Sequence, residues 1–165
     1  MIYKKLVIAA ALSLTLAACD NNVDGYGAGG AGAGGSGSQV YDENSIGYFN
    51  QTIGDRVWFA VDQSTLSQEA IAILDKQADW LLQRPQYSVL VEGHADEQGT
   101  REYNLALGAR RAASVQNYLV SRGLSDARVK TITYGKERPI EICSDEACWS
   151  KNRRAVTVVA GGFGA

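Results

Sequence analysis

Several residue types are scarce in this chain of 165 residues, and each scarcity excludes a class of protein. A single histidine leaves little material for histidine-based catalysis or for a histidine-rich metal site. Three cysteines are too few for a disulfide scaffold, although they allow one bridge and one odd thiol. Lys and Arg number 16 against 18 Asp and Glu. A nucleic-acid-binding surface, which needs clustered positive charge, is therefore not expected.

The first 18 residues have the pattern of a secretory signal peptide. Lys4 and Lys5 form a positive head, and residues 6–17 form an uncharged apolar run. This run is shorter than the roughly 20 residues that span a bilayer. Small residues then precede Cys19, as in the bacterial lipobox that this segment resembles. The resemblance implies cleavage before Cys19 and acylation of its sulfur and its new amine. An ordinary signal peptide followed by an unrelated cysteine is the alternative.

Residues 19–38 are predicted to be a lipidated cysteine and a flexible tether. Eight glycines lie between Gly25 and Gly37, and residues 20–38 contain no Lys or Arg. Such a segment cannot bury enough apolar surface to offset its ordering entropy. Its root-mean-square reach is about 25 Å. Asp20, directly after the cysteine, resembles an inner-membrane retention signal of enteric bacteria, so inner-membrane retention stays open beside the outer membrane.

Residues 39–165 are predicted to fold as one domain, in which strands alternate with two amphipathic helices. Ser67 is the expected N-cap of the first helix, Pro85 ends it, and Gly123 ends the second. The predicted elements are strands at residues 57–61, 87–92, 129–134 and 154–159, and helices from Ser67 to Arg84 and at residues 105–121. This order indicates an α/β protein, an α+β sandwich with one mixed four-stranded sheet and two main helices packed on it.

The densest polar stretch, residues 93–104, joins a strand end to a helix start, where α/β proteins often build binding sites. It opens a series of spaced motifs: Gly93-His-Ala-Asp96, Asn104-Leu-Ala-Leu107, Arg110-Arg-Ala112, Tyr134-Gly-Lys-Glu-Arg-Pro139 and Asn152-Arg-Arg-Ala-Val156. Together they resemble the OmpA-like peptidoglycan-binding domain. The resemblance covers roughly residues 57–159.

The resemblance implies binding of the meso-diaminopimelate residue in cell-wall stem peptides. The family's binding positions fall on Asp96, Arg111, Asn104 and Asp62, the last of which would close the first strand. The chemistry is consistent, because a carboxylate accepts from the ligand's ammonium group and a guanidinium pairs with its carboxylate. From spacing alone, Asp96 and Arg111 also fit a surface salt bridge, or Asp96 a helix cap.

With the lipobox and tether, the resemblance implies an outer-membrane lipoprotein whose periplasmic domain links the membrane to the wall. It also implies TolB and TolA as partners, and a role in envelope integrity and cell division. No cofactor, metal or enzymatic activity is implied. The alternative is an interaction subunit of an outer-membrane assembly or motor complex that uses the same fold. A wall hydrolase is a third and weaker hypothesis.

The remaining chemically active residues favour structural roles. His94 is interpreted as part of the loop scaffold rather than a general base, and a metal site of Glu92, His94 and Asp96 is the less favoured hypothesis. Cys143 and Cys148 are expected to form a small disulfide, because a secreted chain meets an oxidising compartment.

Arg154 is expected to be structural, whereas the role of Arg153 stays open. The tryptophans are expected to pack in or against the core rather than form a carbohydrate platform. They are Trp58, Trp80 and Trp149.

Overall fold

The computed structural model describes residues 41–161. The predicted signal peptide, Cys19, Asp20 and the tether lie outside the described residues, so these predictions stay predictions. None of the helices between Tyr41 and Gly161 is long and apolar enough to cross a bilayer.

A mixed four-stranded sheet forms one layer of the domain. Its strands are β1 (Arg56–Trp58), β2 (Tyr87–His94), β3 (Val129–Gly135) and β4 (Arg154–Gly161), in the spatial order β1-β4-β2-β3. β4 pairs antiparallel with β1 and β2, whereas β2 and β3 are parallel and are joined by a helical crossover. The predicted fold class is therefore confirmed.

Two long helices, α2 (Gln68–Leu82) and α3 (Arg101–Ser121), pack on the sheet. The Ser67 side chain accepts a hydrogen bond from the Ala70 N–H at 3.2 Å, which confirms the predicted N-cap. Thr100 caps α3 in the same way through the Tyr103 N–H. Because Thr100 supplies this cap, α3 begins four residues earlier than the predicted residue 105. Gly123 follows its end with a φ of +109°, the left-handed conformation expected after a helix.

The hydrophobic core lies between the helices and the sheet. α2 contributes Leu74 and Leu81, and α3 contributes Val115 and Leu119, which meet the inward side chains of β2 such as Val91. Each fully buried side chain of this kind stabilises the fold by about 1.5–3 kcal/mol.

α3 crosses β2 at two glycines, and this crossing sets the position of the loop that follows β2. A Cβ on Gly93 would lie 1.8 Å from the Gly108 carbonyl oxygen, and one on Gly108 would lie 2.9 Å from the Gly93 oxygen. Only glycine at both positions permits this approach. Gly93 was predicted to close the strand, but β2 continues to His94.

Three helical segments were not predicted from the sequence, and one of them is the short 3₁₀ turn Asp126–Arg128 before β3. Residues 41–54 form α1 (Ile46–Tyr48) and a π-helical turn (Phe49–Gly54), which pack on α2 through Phe49 and Trp80, with ring centroids 5.1 Å apart. The Trp80 indole also donates to the Glu43 carbonyl at 2.7 Å, so it packs in the core as expected. A short helix, α4 (Glu146–Asn152), precedes β4.

Candidate functional site

A cleft of about 310 Å³ opens beside the carboxyl end of β2. Three segments build it: the turn after β1, the loop of residues 95–100 that follows β2, and the first turns of α3. Its lining residues are Val61, Asp62, Asp96, Gln98, Gly99, Tyr103, Asn104 and Leu107. Three of the four predicted binding residues therefore line one cavity.

Asp96 is held firmly at the inner wall of the cleft, where it is only 7 % exposed. One carboxylate oxygen accepts from the Gln98 backbone N–H at 3.1 Å, and the other accepts from the Arg153 guanidinium at 3.2 Å. A carboxylate has about four lone-pair sites. Asp96 therefore keeps acceptor capacity for a ligand on the cleft side.

Asn104 lies in the first turns of α3, with only 1 % of its surface exposed. Its amide nitrogen donates to the Gln98 carbonyl at 2.8 Å and so fastens the loop to the helix. Its Oδ1 is buried and has no hydrogen-bond partner among the described residues. Because a buried unsatisfied acceptor costs about 1–3 kcal/mol, a donor on a bound ligand would be favoured there.

Asp62 forms the opposite wall of the cleft, in a tight turn rather than at a strand end. β1 stops at Trp58, so the expectation that Asp62 closes the first strand is wrong. The Phe59 N–H still donates to the Arg153 carbonyl, but the chain then enters a turn that the Gln63 N–H closes on the Ala60 carbonyl at 3.2 Å. Asp62 has a φ of +57°, and its carboxylate accepts from the Tyr103 hydroxyl, which ties this turn to α3.

Arg111 does not line the cleft, and this corrects the expectation of a guanidinium fork on its surface. It lies on the inner face of α3, as Asn104 and Leu107 do, and is 0 % exposed. Its Nε, Nη1 and Nη2 donate to the carbonyls of Gln63, His94 and Ala60 at 2.8, 2.9 and 3.1 Å. The side chain thus fastens the end of β2 to the turn after β1.

The charge of Arg111 nevertheless acts on the cleft. Burial lowers the pKa of Arg111 to about 10, while the negative charges of Asp96 and Asp62 oppose that shift. Since this pKa lies well above neutral pH, Arg111 is a fixed positive charge beneath the two acidic walls.

Arg153, whose role the sequence left open, forms the outer support of Asp96. Its Nε donates to the Phe59 carbonyl at 3.2 Å, and its Nη1 donates to both Asp96 and Glu146 at 3.2 Å. Its Nη2 also pairs with Glu146. Glu146 was missed because α4, which carries it, was not predicted. The partly acidic segment between the two cysteines was the one available signal.

His94 is buried against the Tyr134 ring, with ring centroids 5.5 Å apart, and neither ring nitrogen has a hydrogen-bond partner within residues 41–161. Burial, assisted by the charges of Arg154 and Arg138, lowers the pKa of His94 to about 4. The ring is therefore neutral near pH 7. It packs as scaffold and does not line the cleft.

Among residues 41–161, the side chains of Glu92, His94 and Asp96 do not gather as a metal-binding group. The one set of three with converging ligand atoms is Cys143, Asp145 and Cys148, whose two sulfur atoms are joined to each other.

The Cys143–Cys148 disulfide, with 5.7 Å between the Cα atoms, closes the turn that leads into α4. The Trp149 indole on α4 donates to the Glu97 carboxylate at 3.2 Å and so contacts the loop after β2. Arg154, as expected, is structural: it is buried and donates to the carbonyls of Asn152 and Arg138.

Comparison with known proteins gives the family of this fold and cleft. Residues 58–153 match the model of the OmpA family. The peptidoglycan-associated lipoprotein of Rhizobium meliloti is 49 % identical over 162 residues, which cover 94 % of this chain and 88 % of that protein.

Two solved structures have the same fold. The crystal structure of the peptidoglycan-associated lipoprotein from Burkholderia pseudomallei is similar with a TM-score of 0.67 and 36 % identity, and the match covers 72 % of this chain and all of that one. The C-terminal domain of Helicobacter pylori MotB has a TM-score of 0.61 at 19 % identity, over 66 % of this chain and 86 % of that one. The MotB match shows the fold alone.

The chain therefore belongs to the OmpA family and, within it, to the peptidoglycan-associated lipoproteins.

Proposed function

We propose that this protein is a lipid-anchored outer-membrane lipoprotein whose periplasmic domain binds peptidoglycan non-covalently through the diaminopimelate of its stem peptides. The observation that carries the proposal is the cleft, in which Asp62, Asp96 and Asn104 converge above the buried Arg111. The domain acts as a binding module rather than an enzyme, in keeping with its membership of the peptidoglycan-associated lipoproteins.

The two ends of the cleft suit the two charges of the ligand. The distal end of diaminopimelate carries an ammonium and a carboxylate on one carbon. The ammonium is matched by the Asp96 carboxylate and by the unpaired Oδ1 of Asn104. The ligand's carboxylate is matched by backbone N–H groups of the loop after β2 other than that of Gln98, which Asp96 occupies, and by the positive charge of Arg111 beneath the loop.

The strength of such a site is modest. Charge-assisted hydrogen bonds contribute about 1.5–3 kcal/mol each. Two of them give roughly 3–6 kcal/mol, which corresponds to millimolar binding or slightly better. Many anchored copies facing one wall polymer would raise the effective affinity by avidity.

The anchor and the partners complete the proposal. Acylated Cys19 would hold the domain at the membrane, and residues 20–38 would let it reach the wall, stretching to about 65 Å. We expect TolB and TolA as periplasmic partners in envelope integrity and division, with TolB competing for the face around Asp96 and Glu102. Co-purification of Tol proteins with the lipoprotein tests this.

The alternative, a subunit of an assembly or motor complex, has only the shared fold in its favour.

Asp96→Asn is expected to weaken binding of a diaminopimelate stem peptide by about 10- to 150-fold, the equivalent of one charge-assisted hydrogen bond. Calorimetric titration, together with co-sedimentation on purified sacculi, measures this. Asp79→Asn, which removes an equal charge from a remote ion pair with Arg122, is the matched control and should bind as the wild type does.

A lysine-type stem peptide tests the ligand itself. It lacks the second carboxylate, so the loop N–H groups would have no partner and the charge of Arg111 would attract nothing on the ligand, and binding should be much weaker. Equal binding of the two peptides, or unchanged binding by Asp96→Asn, would contradict the proposed site.

A further prediction concerns Cys143 and Cys148. We expect no titratable thiol in the unreduced, folded lipoprotein, because these two sulfurs are bonded and Cys19 is acylated. Replacing both by serine should lower the free energy of unfolding by about 2 kcal/mol, since the bridge closes a short loop. Two reactive thiols in the native protein would rule out the bridge.

A further inference from the structure

The Arg153 guanidinium lies between two carboxylates and makes more hydrogen bonds to one of them than to the other. Glu146 receives hydrogen bonds from both terminal nitrogens of Arg153, whereas Asp96 receives one, at 3.2 Å. The fork-to-fork geometry with Glu146 is the stronger arrangement for an arginine. The better partner of Arg153 is therefore the residue outside the cleft.

Arg153, Asp96 and Glu146 together leave an unbalanced negative charge beside the cleft. One guanidinium faces two carboxylates, so the group carries a net negative charge, and Asp96 is the member that lines the cleft. The hydrogen bond from Arg153 lowers the pKa of Glu146, so Glu146 stays ionised at neutral pH. The Glu146 side chain is 61 % exposed, whereas that of Arg153 is only 5 % exposed.

We propose that Glu146 is a specificity-determining positioning residue: by occupying the Arg153 guanidinium, it leaves the Asp96 carboxylate charged and available to a ligand's ammonium group. Without the Glu146 charge, Arg153 would turn its full charge to Asp96 and neutralise it. This inference rests on the proposed function, because it explains why the cleft would bind the ammonium group of diaminopimelate.

Glu146 is the first residue of α4, and the structure of this helix start holds it in place. Asp145 caps the helix by accepting from the Ala147 and Cys148 N–H groups, and this fixes Glu146 in the first helical turn. The Cys143–Cys148 bridge closes the turn before it. Neither contact touches the cleft. α4 meets the loop after β2 through Trp149 and Glu97, and its link to the Asp96 carboxylate itself runs from Glu146 through Arg153.

Glu146→Gln tests the proposal, because glutamine keeps the size and an acceptor oxygen and removes only the charge. The acylated, full-length lipoprotein in detergent is titrated with two probes: a stem peptide with a free diaminopimelate amine, and the same peptide with that amine acetylated. We expect the affinity ratio between the two peptides to fall by about 3- to 10-fold, in the lower part of the range found for residues coupled in one ion-pair network.

Glu141→Gln is the matched control. It removes the same charge from the same region, where Glu141 pairs with Lys151 at 3.1 Å rather than with Arg153. Its affinity ratio should equal that of the wild type. The thermal midpoint of all variants is recorded to show that each remains folded.

Each outcome has one meaning. A Glu146→Gln protein that keeps the wild-type ratio, or that loses affinity for both peptides equally, overturns the positioning role and leaves Glu146 as a structural anchor of α4. A wild-type protein that binds neither peptide overturns the proposed function and this inference with it. If the wild type binds and Asp96→Asn lowers the ratio but Glu146→Gln does not, the function stands and only the inference fails.

Discussion

Arg111→Met is expected to lower the free energy of unfolding by about 3–4 kcal/mol, because three backbone carbonyls lose their donor at a cost of about 1–3 kcal/mol each and two of them are only partly buried. The carbonyls belong to Ala60, Gln63 and His94, so the variant detaches the turn after β1 from the end of β2. Urea unfolding followed by tryptophan fluorescence measures the loss.

Arg110→Met is the matched control for this prediction. Arg110 is the preceding residue of α3 and is exposed, so its replacement should change stability by no more than about 0.5 kcal/mol. Equal stability of the two variants would show that the guanidinium does not hold the two walls of the cleft together.

Arg111→Lys separates the structural role of Arg111 from its electrostatic one. Lysine keeps the charge but lacks the planar fork that reaches three carbonyls. We expect it to lose much of the same stability, while the folded protein binds the diaminopimelate peptide more tightly than folded Arg111→Met does. Identical affinities would mean that the charge beneath the cleft is irrelevant to the ligand.

The sequence predicted those elements whose signals are local. α2 has its cap at Ser67, a regular apolar face and a stop at Pro85, and the structure follows that pattern within two residues. β2 was also predicted from a local signal, its short run of apolar residues. The segment at residues 41–54 has no such periodicity, and it folds because Phe49 and the Glu43 carbonyl meet Trp80 from far along the chain.

The site was only partly predictable. Asp96 and Asn104 belong to motifs that the sequence displays, and seven residues of chain connect them, so their proximity follows from the strand-loop-helix order. The orientation of Arg111 was missed, although its spacing from the apolar residues of α3 that face the core places it on the buried side of the helix. The contact between Asp96 and Arg153 spans 57 residues, and Glu146 joins it through an unpredicted helix.

These differences change the chemistry assigned to the cleft. If Asp96 and Arg111 both lay on the surface, Asp96 would have paired with the ligand's ammonium and Arg111 with its carboxylate. The structure instead has acidic walls and a cation beneath them, so in the proposed function the ligand's carboxylate is bound by backbone N–H groups. Under that proposal, selectivity for the ammonium end would depend on how far Asp96 is neutralised, which is the role proposed above for Arg153 and Glu146.

Gly93→Ala is expected to lower the free energy of unfolding by about 3 kcal/mol or more, since even ordinary overpacking costs about 1–3 kcal/mol. The added Cβ would lie 1.8 Å from the Gly108 carbonyl oxygen, and this oxygen belongs to the backbone of a helix and cannot rotate away. α3 must then move off the sheet. A fall in the thermal midpoint by roughly 10 °C is the measurable result.

Gly161→Ala provides the control, because in the described part of the chain no atom outside its immediate sequence neighbours lies within 4 Å of the Cβ it would add, and its midpoint should be close to that of the wild type. The Gly93→Ala variant also tests whether the packing of α3 on β2 affects ligand binding. Gly93 precedes Asp96 by three residues and Gly108 follows Asn104 by four, so a shifted helix separates the two acceptors that would share the ligand's ammonium. Below its unfolding transition, Gly93→Ala should therefore also bind the diaminopimelate peptide more weakly. If it is destabilised yet binds at full strength, the glycine crossing stabilises the domain without setting the geometry of the cleft.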